Sequence, residues 1–221
     1  MNFDLTPTEA IAQQRELRAR VRLEPLPRPP RIVAGADISY NKGDDVCHAG
    51  FVILDYATRQ LLASYHATTR MTFPYVPGLL SYREIPPLLE AWAKIPEKPD
   101  LVFMDGHGVM HPRRLGIASH FGLVADVPTL GNGKTILLGK FTEPAPERGA
   151  WSPMVDRGET VGAAVRTKRR VKPVYVSAGH RITLEEAIRY TLDLDGGYRI
   201  PEPTRQAHLL VNAVRRGEHA G

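Results

Sequence analysis

LVFMDGHGVMHPRRLGIASHFGLV, residues 101–124, decides the architecture. Leu101 to Met104 form an unbroken apolar run that ends on Asp105, and Gly106, His107 and Gly108 follow. A short run of this kind predicts a strand buried on both faces, as in a parallel sheet between helices. Asp105 then stands at the strand's carboxyl end, where open α/β sheets place their ligands. The glycines admit close approach of backbone to a substrate, and the pair Arg113 and Arg114 suits phosphate. Beyond Pro112 a helix is expected, with Ile117, Phe121 and Val124 on its buried face.

Upstream, IVAGADISY (32–40) reads as the first strand. Alternation puts Asp37 on one face with Val33, Gly35 and Ser39. A carboxylate in mid-strand needs a partner, which is either a functional site or a bond to a neighbouring loop. AGFVILDY (49–56) and LLASYHATT (61–69) follow with short connections, so the three strands should form an antiparallel meander. Pro74, Tyr75, Val76 and Pro77 make a stiff loop with an aromatic at its tip. Tyr75 either stacks on a base or packs on the core. Gly78 leads into a helix carrying Tyr82, Arg83 and Glu84, and Pro86-Pro87 should kink or restart it. Glu84 is thereby held beside a break, or is solvated and paired with Arg83.

Downstream, VPTLG (127–131) is a further strand, and Asn132-Gly133-Lys134-Thr135 reads as the loop after it. The Gly-Lys-Thr is not a phosphate loop, because Pro128 stands where that motif needs its first glycine. Lys134 is still well placed to reach a phosphate. SPMVD and TVGAAVRT form a hairpin, KRRVK a basic loop, and PVYVSAGH another strand. Capping boxes at Thr6–Glu9 and Thr183–Glu186 start two helices, the first reaching to near Arg22. A C-terminal helix buries Leu209, Leu210, Ala213 and Val214 and leaves His208 near its edge.

At 221 residues with 43% hydrophobic content, the chain is read as one domain over residues 1–221. The lone Cys47 excludes an internal disulfide and a cysteine zinc site. No apolar run reaches the length of a membrane span, and the N-terminus carries no signal pattern, so a cytoplasmic monomer is expected. The net charge is +5, with arginines clustered in several patches, which fits a polyanionic substrate or a solvated basic surface. Asp37 and Asp105 become neighbours if the first and fourth strands pair in parallel. Carboxylates without cysteine ligands make a hard-oxygen site, suited to Mg²⁺ or Mn²⁺ over Zn²⁺.

The segments VAGADISY, FPYVPGLLSYRE, PDLVFMDGHGVMHPRRLGIASH, VPTLG and RIPEPTRQAH resemble those of the endonuclease V family, over almost the whole chain and in the right order. The resemblance implies a ribonuclease H-like fold: a mixed sheet of a three-strand meander plus parallel strands, flanked by helices. It implies a DNA-repair endonuclease that recognises deoxyinosine and, with Mg²⁺, cuts the second phosphodiester bond 3′ to the lesion. The products would be a 3′-hydroxyl and a 5′-phosphate. By position, Asp37 and Asp105 resemble the metal-binding aspartates, with Glu84 as the third acid. His208 resembles the catalytic-site histidine, and Lys134 the lysine at the scissile region. Pro74 to Pro77 resemble the wedge, and Gly78, Leu80, Gly106, His111 and Gly116 the base pocket. Asn132-Gly133 departs from the Val-Ala common in relatives, and a glycine there would loosen the loop and the discrimination it gives. Two rivals are a ribonuclease H-like nuclease preferring inosine-containing or structured RNA, and a basic nucleic-acid-binding module.

Overall fold

The computed structural model describes residues 1–218. Its elements in chain order are α1 (Pro7–Arg18), β1 (Ile32–Tyr40), β2 (Val46–Asp55), β3 (Leu61–Arg70), α2 (Leu80–Ala93), β4 (Leu101–Met104), α3 (Ile117–Ala125), β5 (Thr129–Gly133), β6 (Trp151–Asp156), β7 (Glu159–Val165), β8 (Val174–His180), α4 (Leu184–Asp193) and α5 (Glu202–Arg215). The eight strands form one sheet in the order β3-β2-β1-β4-β5-β8-β7-β6. The meander β1–β2–β3 is antiparallel, and β1, β4 and β5 run parallel. This is the ribonuclease H-like mixed sheet that the resemblance implied. β8 returns antiparallel on β5, followed by the β7–β6 hairpin.

All four residues of β4 are buried, as an apolar run covered on both faces requires. Ala34, Ala36, Val102 and Met104 face α2 and α3. Their neighbours Val33, Leu101 and Phe103 face the other way, packed with Ile188 and Tyr190 of α4. Phe51, Phe103 and Phe121 are completely buried, each worth about 2–3 kcal/mol of transfer free energy. α5 lies on the α4 side, across β1 and β2. It comes that close because residue 35 has no side chain: a Cβ there would stand 1.9 Å from the Pro203 carbonyl oxygen.

Both capping boxes form, the Thr6 and Thr183 side chains each accepting from the backbone of the glutamate three residues on. α1 stops at Arg18, short of Arg22. Of the kink or restart expected at Pro86-Pro87, the restart does not occur: α2 is one continuous helix from Leu80 to Ala93. Each proline removes a donor, but its fixed φ is itself helical, and burial of Ile85, Leu88 and Trp92 offsets the lost bonds. β5 extends to Gly133, so Asn132 and Gly133 are strand residues, paired with Val176 and Tyr175. No helix among the described residues is long and apolar enough to cross a membrane.

Candidate active site

The parallel pairing of β1 and β4 sets Ala36 beside Met104, so the next residues, Asp37 and Asp105, meet at one end of the sheet. The Asp105 N–H donates to the Ala36 carbonyl at 3.1 Å, which fixes the two chains at this point. Asp37 Oδ1 accepts from the Ile38 N–H at 2.8 Å, and its Oδ2 lies 2.8 Å from Nδ1 of His208 on α5. Asp105 Oδ2 is paired with the Lys134 ammonium at the end of β5. Ligand atoms of Asp37, Asp105 and His208 all lie within 4.8 Å of one another. Glu84, in the first turns of α2, is outside that triplet. It lines the same cavity of about 10 Å³, together with Asp37, Asp105, Met104 and Ile117.

The electrostatics show what the cluster is suited to hold. Burial pushes the Glu84 carboxyl up to about 8, and the charges of Asp37 and Asp105 push the same way against Arg83. Burial also raises Asp105, with Asp37 adding repulsion and Lys134 opposing it. Carboxylates crowded together and short of positive charge, offering hard oxygen donors, fit a divalent ion such as Mg²⁺. Such an ion, when bound, supplies an activated water and charge stabilisation at a phosphate. Asp37 and Asp105 would hold it directly, with Glu84 and His208 beside them.

A pH dependence follows. An unfolded chain holds glutamate near its ordinary value of about 4.5, below the folded value of about 8. The folded metal-free protein therefore binds the extra proton between those values, so its stability is intact below about pH 4.5 and is lost as pH rises through about 8. The shift corresponds to roughly 5 kcal/mol at most. Urea melts of metal-free protein should show that loss between pH 5 and 8. Mg²⁺ or Glu84→Gln should remove it, and a flat profile would contradict the arrangement.

Beside the acids opens a cavity of about 530 Å³. Its lining includes every expected pocket residue, Gly78, Leu80, Gly106, His111 and Gly116, and on one rim Tyr75, Val76 and Pro77. Pro74 is exposed at the loop's edge. Tyr75 is 69% exposed, which removes the alternative that it packs on the core. Thr135, Ile136 and Leu137 also line the cavity, with both apolar side chains exposed; no sequence pattern had singled them out. A second cavity of about 610 Å³, under the Pro-rich connector, has its acids Glu24, Asp100 and Asp126 each held in an ion pair with an arginine.

Two residues of the central stretch differ from expectation. Arg113 does not face a phosphate: its guanidinium is bound to Gln14 and, at 2.6 Å, to the Gly78 carbonyl. Arg114 is buried, holding Glu159, Asp156 and the His111 carbonyl. His111 is likewise internal. Its Nδ1 accepts from the Arg113 N–H, so Nε2 carries the proton and donates to Gly78 at 3.1 Å. Burial lowers its pKa to about 4, which keeps it neutral. The group sequence reasoning missed is His107. Its ring lies over Gly133, where a Cβ would come within 2.1 Å of Cε1, and its Nδ1 is buried without a hydrogen-bond partner among the described residues. Gly133 thus does not slacken a loop; it makes room in a strand for an imidazole on the cavity wall.

Carboxylates brought together where the middle of β1 meets the carboxyl end of β4, on a ribonuclease H-like sheet, suit a phosphodiester-cutting nuclease. The model for the family described as endonuclease V matches residues 15–209, and the chain belongs to that family, whose members are endonucleases. It is 47% identical over 220 residues to endonuclease V of Myxococcus xanthus, covering 98% of this chain and 92% of the relative. The solved endonuclease V of Streptomyces avermitilis superposes with a TM-score of 0.93 at 44% identity, covering 99% of this chain and 97% of that one. The Ciona intestinalis endonuclease V, 26% identical with a TM-score of 0.83 over 96% of this chain and 98% of that one, was solved in complex with a 24mer DNA containing an inosine followed by a ribo-adenosine.

Proposed function

We propose that the protein recognises deoxyinosine in DNA and, with Mg²⁺, hydrolyses the second phosphodiester bond 3′ to it, leaving a 3′-hydroxyl and a 5′-phosphate. The observation that carries this reading is a cavity of about 530 Å³, roomy enough to admit a nucleobase, that shares Asp105 with the Asp37–Asp105–Glu84 cluster. A base can enter that cavity only by leaving its stack, and a weakly paired base leaves at lowest cost. Tyr75, on its rim, is placed to take the space a flipped base gives up. Asp37 holds His208 through the Nδ1 contact, Asn212 Nδ2 lies 3.2 Å from Nε2, and the half-exposed ring stands beside the acids where a water or a phosphate oxygen would bind. Lys134 neutralises Asp105 and has the reach to meet the phosphate. The lone cysteine fits a reducing compartment, the cytoplasm.

The test is cleavage of one end-labelled duplex with a single deoxyinosine, in Mg²⁺, beside its undamaged twin. A single nick one nucleotide beyond the lesion on its 3′ side is expected; random or absent cutting by folded protein would overturn the reading. The ribo-adenosine after the inosine in the Ciona complex favours a second reading, inosine-containing RNA, and the same assay on an RNA strand compares the two. Tyr75→Ala should reduce the preference for inosine over undamaged duplex by about tenfold, the loss of one stacking contact of 1–3 kcal/mol. Competition binding measures this, and an unchanged preference would remove the wedge from the account.

A further inference from the structure

The basic loop KRRVK is absorbed by nothing described so far. It forms the turn between β7 and β8, and Lys168, Arg169, Arg170 and Lys172 are all exposed. Among the described residues none of these four side chains forms an ion pair, whereas Arg113, Arg114 and Arg166 are spent on internal bonds. Register fixes where the turn lies. β8 starts beside the end of β5, with Tyr175 opposite Gly133, and β7 ends beside the start of β8, with Val165 opposite Val174. The turn therefore shares a sheet edge with Asp105 and Lys134, one to two strand spacings, roughly 5–10 Å, to the side of β5.

Arg199 joins the two places. It donates to the Lys134 carbonyl at 2.6 Å and to the Lys172 and Pro173 carbonyls at 3.1 and 2.9 Å, while its own carbonyl accepts from the Thr167 hydroxyl. Beside it Tyr198 is half exposed, its ring 4.3 Å from the Arg205 guanidinium. Tyr198 belongs to the α4–α5 connection, on the α4–α5 side of the sheet, while the base cavity opens between the starts of α2 and α3, on the other side.

We infer that the Lys168–Lys172 turn, with Tyr198, grips the nucleic-acid backbone beyond the scissile bond, on the side away from the base cavity. The inference rests on the reading above. A strand whose base sits in the cavity and whose cut phosphate lies at Asp37 and Asp105 crosses the sheet edge there. Its next phosphates, 3′ of the cut, then run toward four free cations held in register with Lys134. These cations read charge and not sequence, so they add affinity and position without adding base preference.

The test is the salt dependence of binding to inosine duplex in Ca²⁺, for the natural protein and for K168Q/R169Q/R170Q/K172Q. Each lost phosphate contact lowers the slope of log affinity against log salt by about 0.9, so a fall of about two to three is expected, with R169Q/R170Q giving about half. Shortening the duplex 3′ of the cut should erase the difference between variant and natural protein; shortening it 5′ of the lesion should leave it. An unchanged slope, or a difference that survives the 3′ truncation, overturns the proposal. Should the natural protein show no preference for inosine, the proposed function falls, and the slopes on undamaged duplex still decide the role of the turn.

Discussion

Asp105→Ala is expected to lower the rate of cleavage by about a thousandfold or more and to leave affinity for inosine DNA within about tenfold. The carboxylate lies within 4.8 Å of the ligand atoms of Asp37 and His208, so its loss opens the shell that would hold the metal. Several kcal/mol of transition-state stabilisation then disappear. Asp105 is one wall residue among many, and the loop carrying Tyr75 and the rest of the cavity are built by others, so binding should survive. Asp105→Asn should lose as much rate, because charge and not shape is removed. A second readout separates function from support: removing Asp105 relieves the repulsion on Glu84 and Asp37, so the metal-free variant should melt higher than the natural protein. Lys134, released, is exposed enough to return to water. Single-turnover cleavage, binding in Ca²⁺ and thermal melts measure the three quantities. Equal loss of rate and affinity would remove Asp105 from its assigned role.

Gly35→Ala is expected to be the most damaging single methyl group in the molecule. The added carbon would sit 1.9 Å from the Pro203 carbonyl oxygen and 2.1 Å from its carbon, and both obstacles are backbone. No rotamer relieves such a clash, so the first turn of α5 must move off β1. Overpacking of this kind costs about 3 kcal/mol, which for a chain of this size lowers the melting temperature by roughly 6–12 °C. His208 lies on the same helix, so its 2.8 Å contact with Asp37 should open as well. Cleavage should then fall even at temperatures where the variant is folded. A melting temperature within about 2 °C of the natural protein would show that α5 is not seated as described.

How much of this was legible depended on the range of the interaction. β4 and the position of Asp105 could be read because burial on two faces writes itself as four consecutive apolar residues. The β1 boundaries followed from alternation alone, and both capping boxes from a four-residue pattern. The meeting of Asp37 with Asp105 needed only the guess that β1 and β4 pair in parallel. His208 carried no local mark, since its partner Asp37 is 171 residues away; only the family resemblance pointed to it. Arg113 and Arg114 were misjudged because charge does not say where donors go. One is held by a carbonyl 35 residues upstream, the other by a carboxylate 45 residues downstream. Gly133 was assigned to a loop because its strand partner, Tyr175, lies 42 residues further on, and nothing near it announces that pairing.

The Gly78 carbonyl, at the root of the loop bearing Tyr75, is held by Gln14 at 3.1 Å, Arg113 at 2.6 Å and His111 at 3.1 Å. Three donors from two other parts of the chain converge on one oxygen, and Pro74 and Pro77 stiffen the rest of the loop. On the proposed reading this loop is the probe, formed before any nucleic acid arrives, so little ordering entropy is lost on contact. Deformation falls on the other partner. What the protein can tell apart is then set by how readily a duplex yields at a given step, a property of the pairing and stacking it meets. A rigid surface of this sort inspects by leaning, and the weakest base pair gives way first.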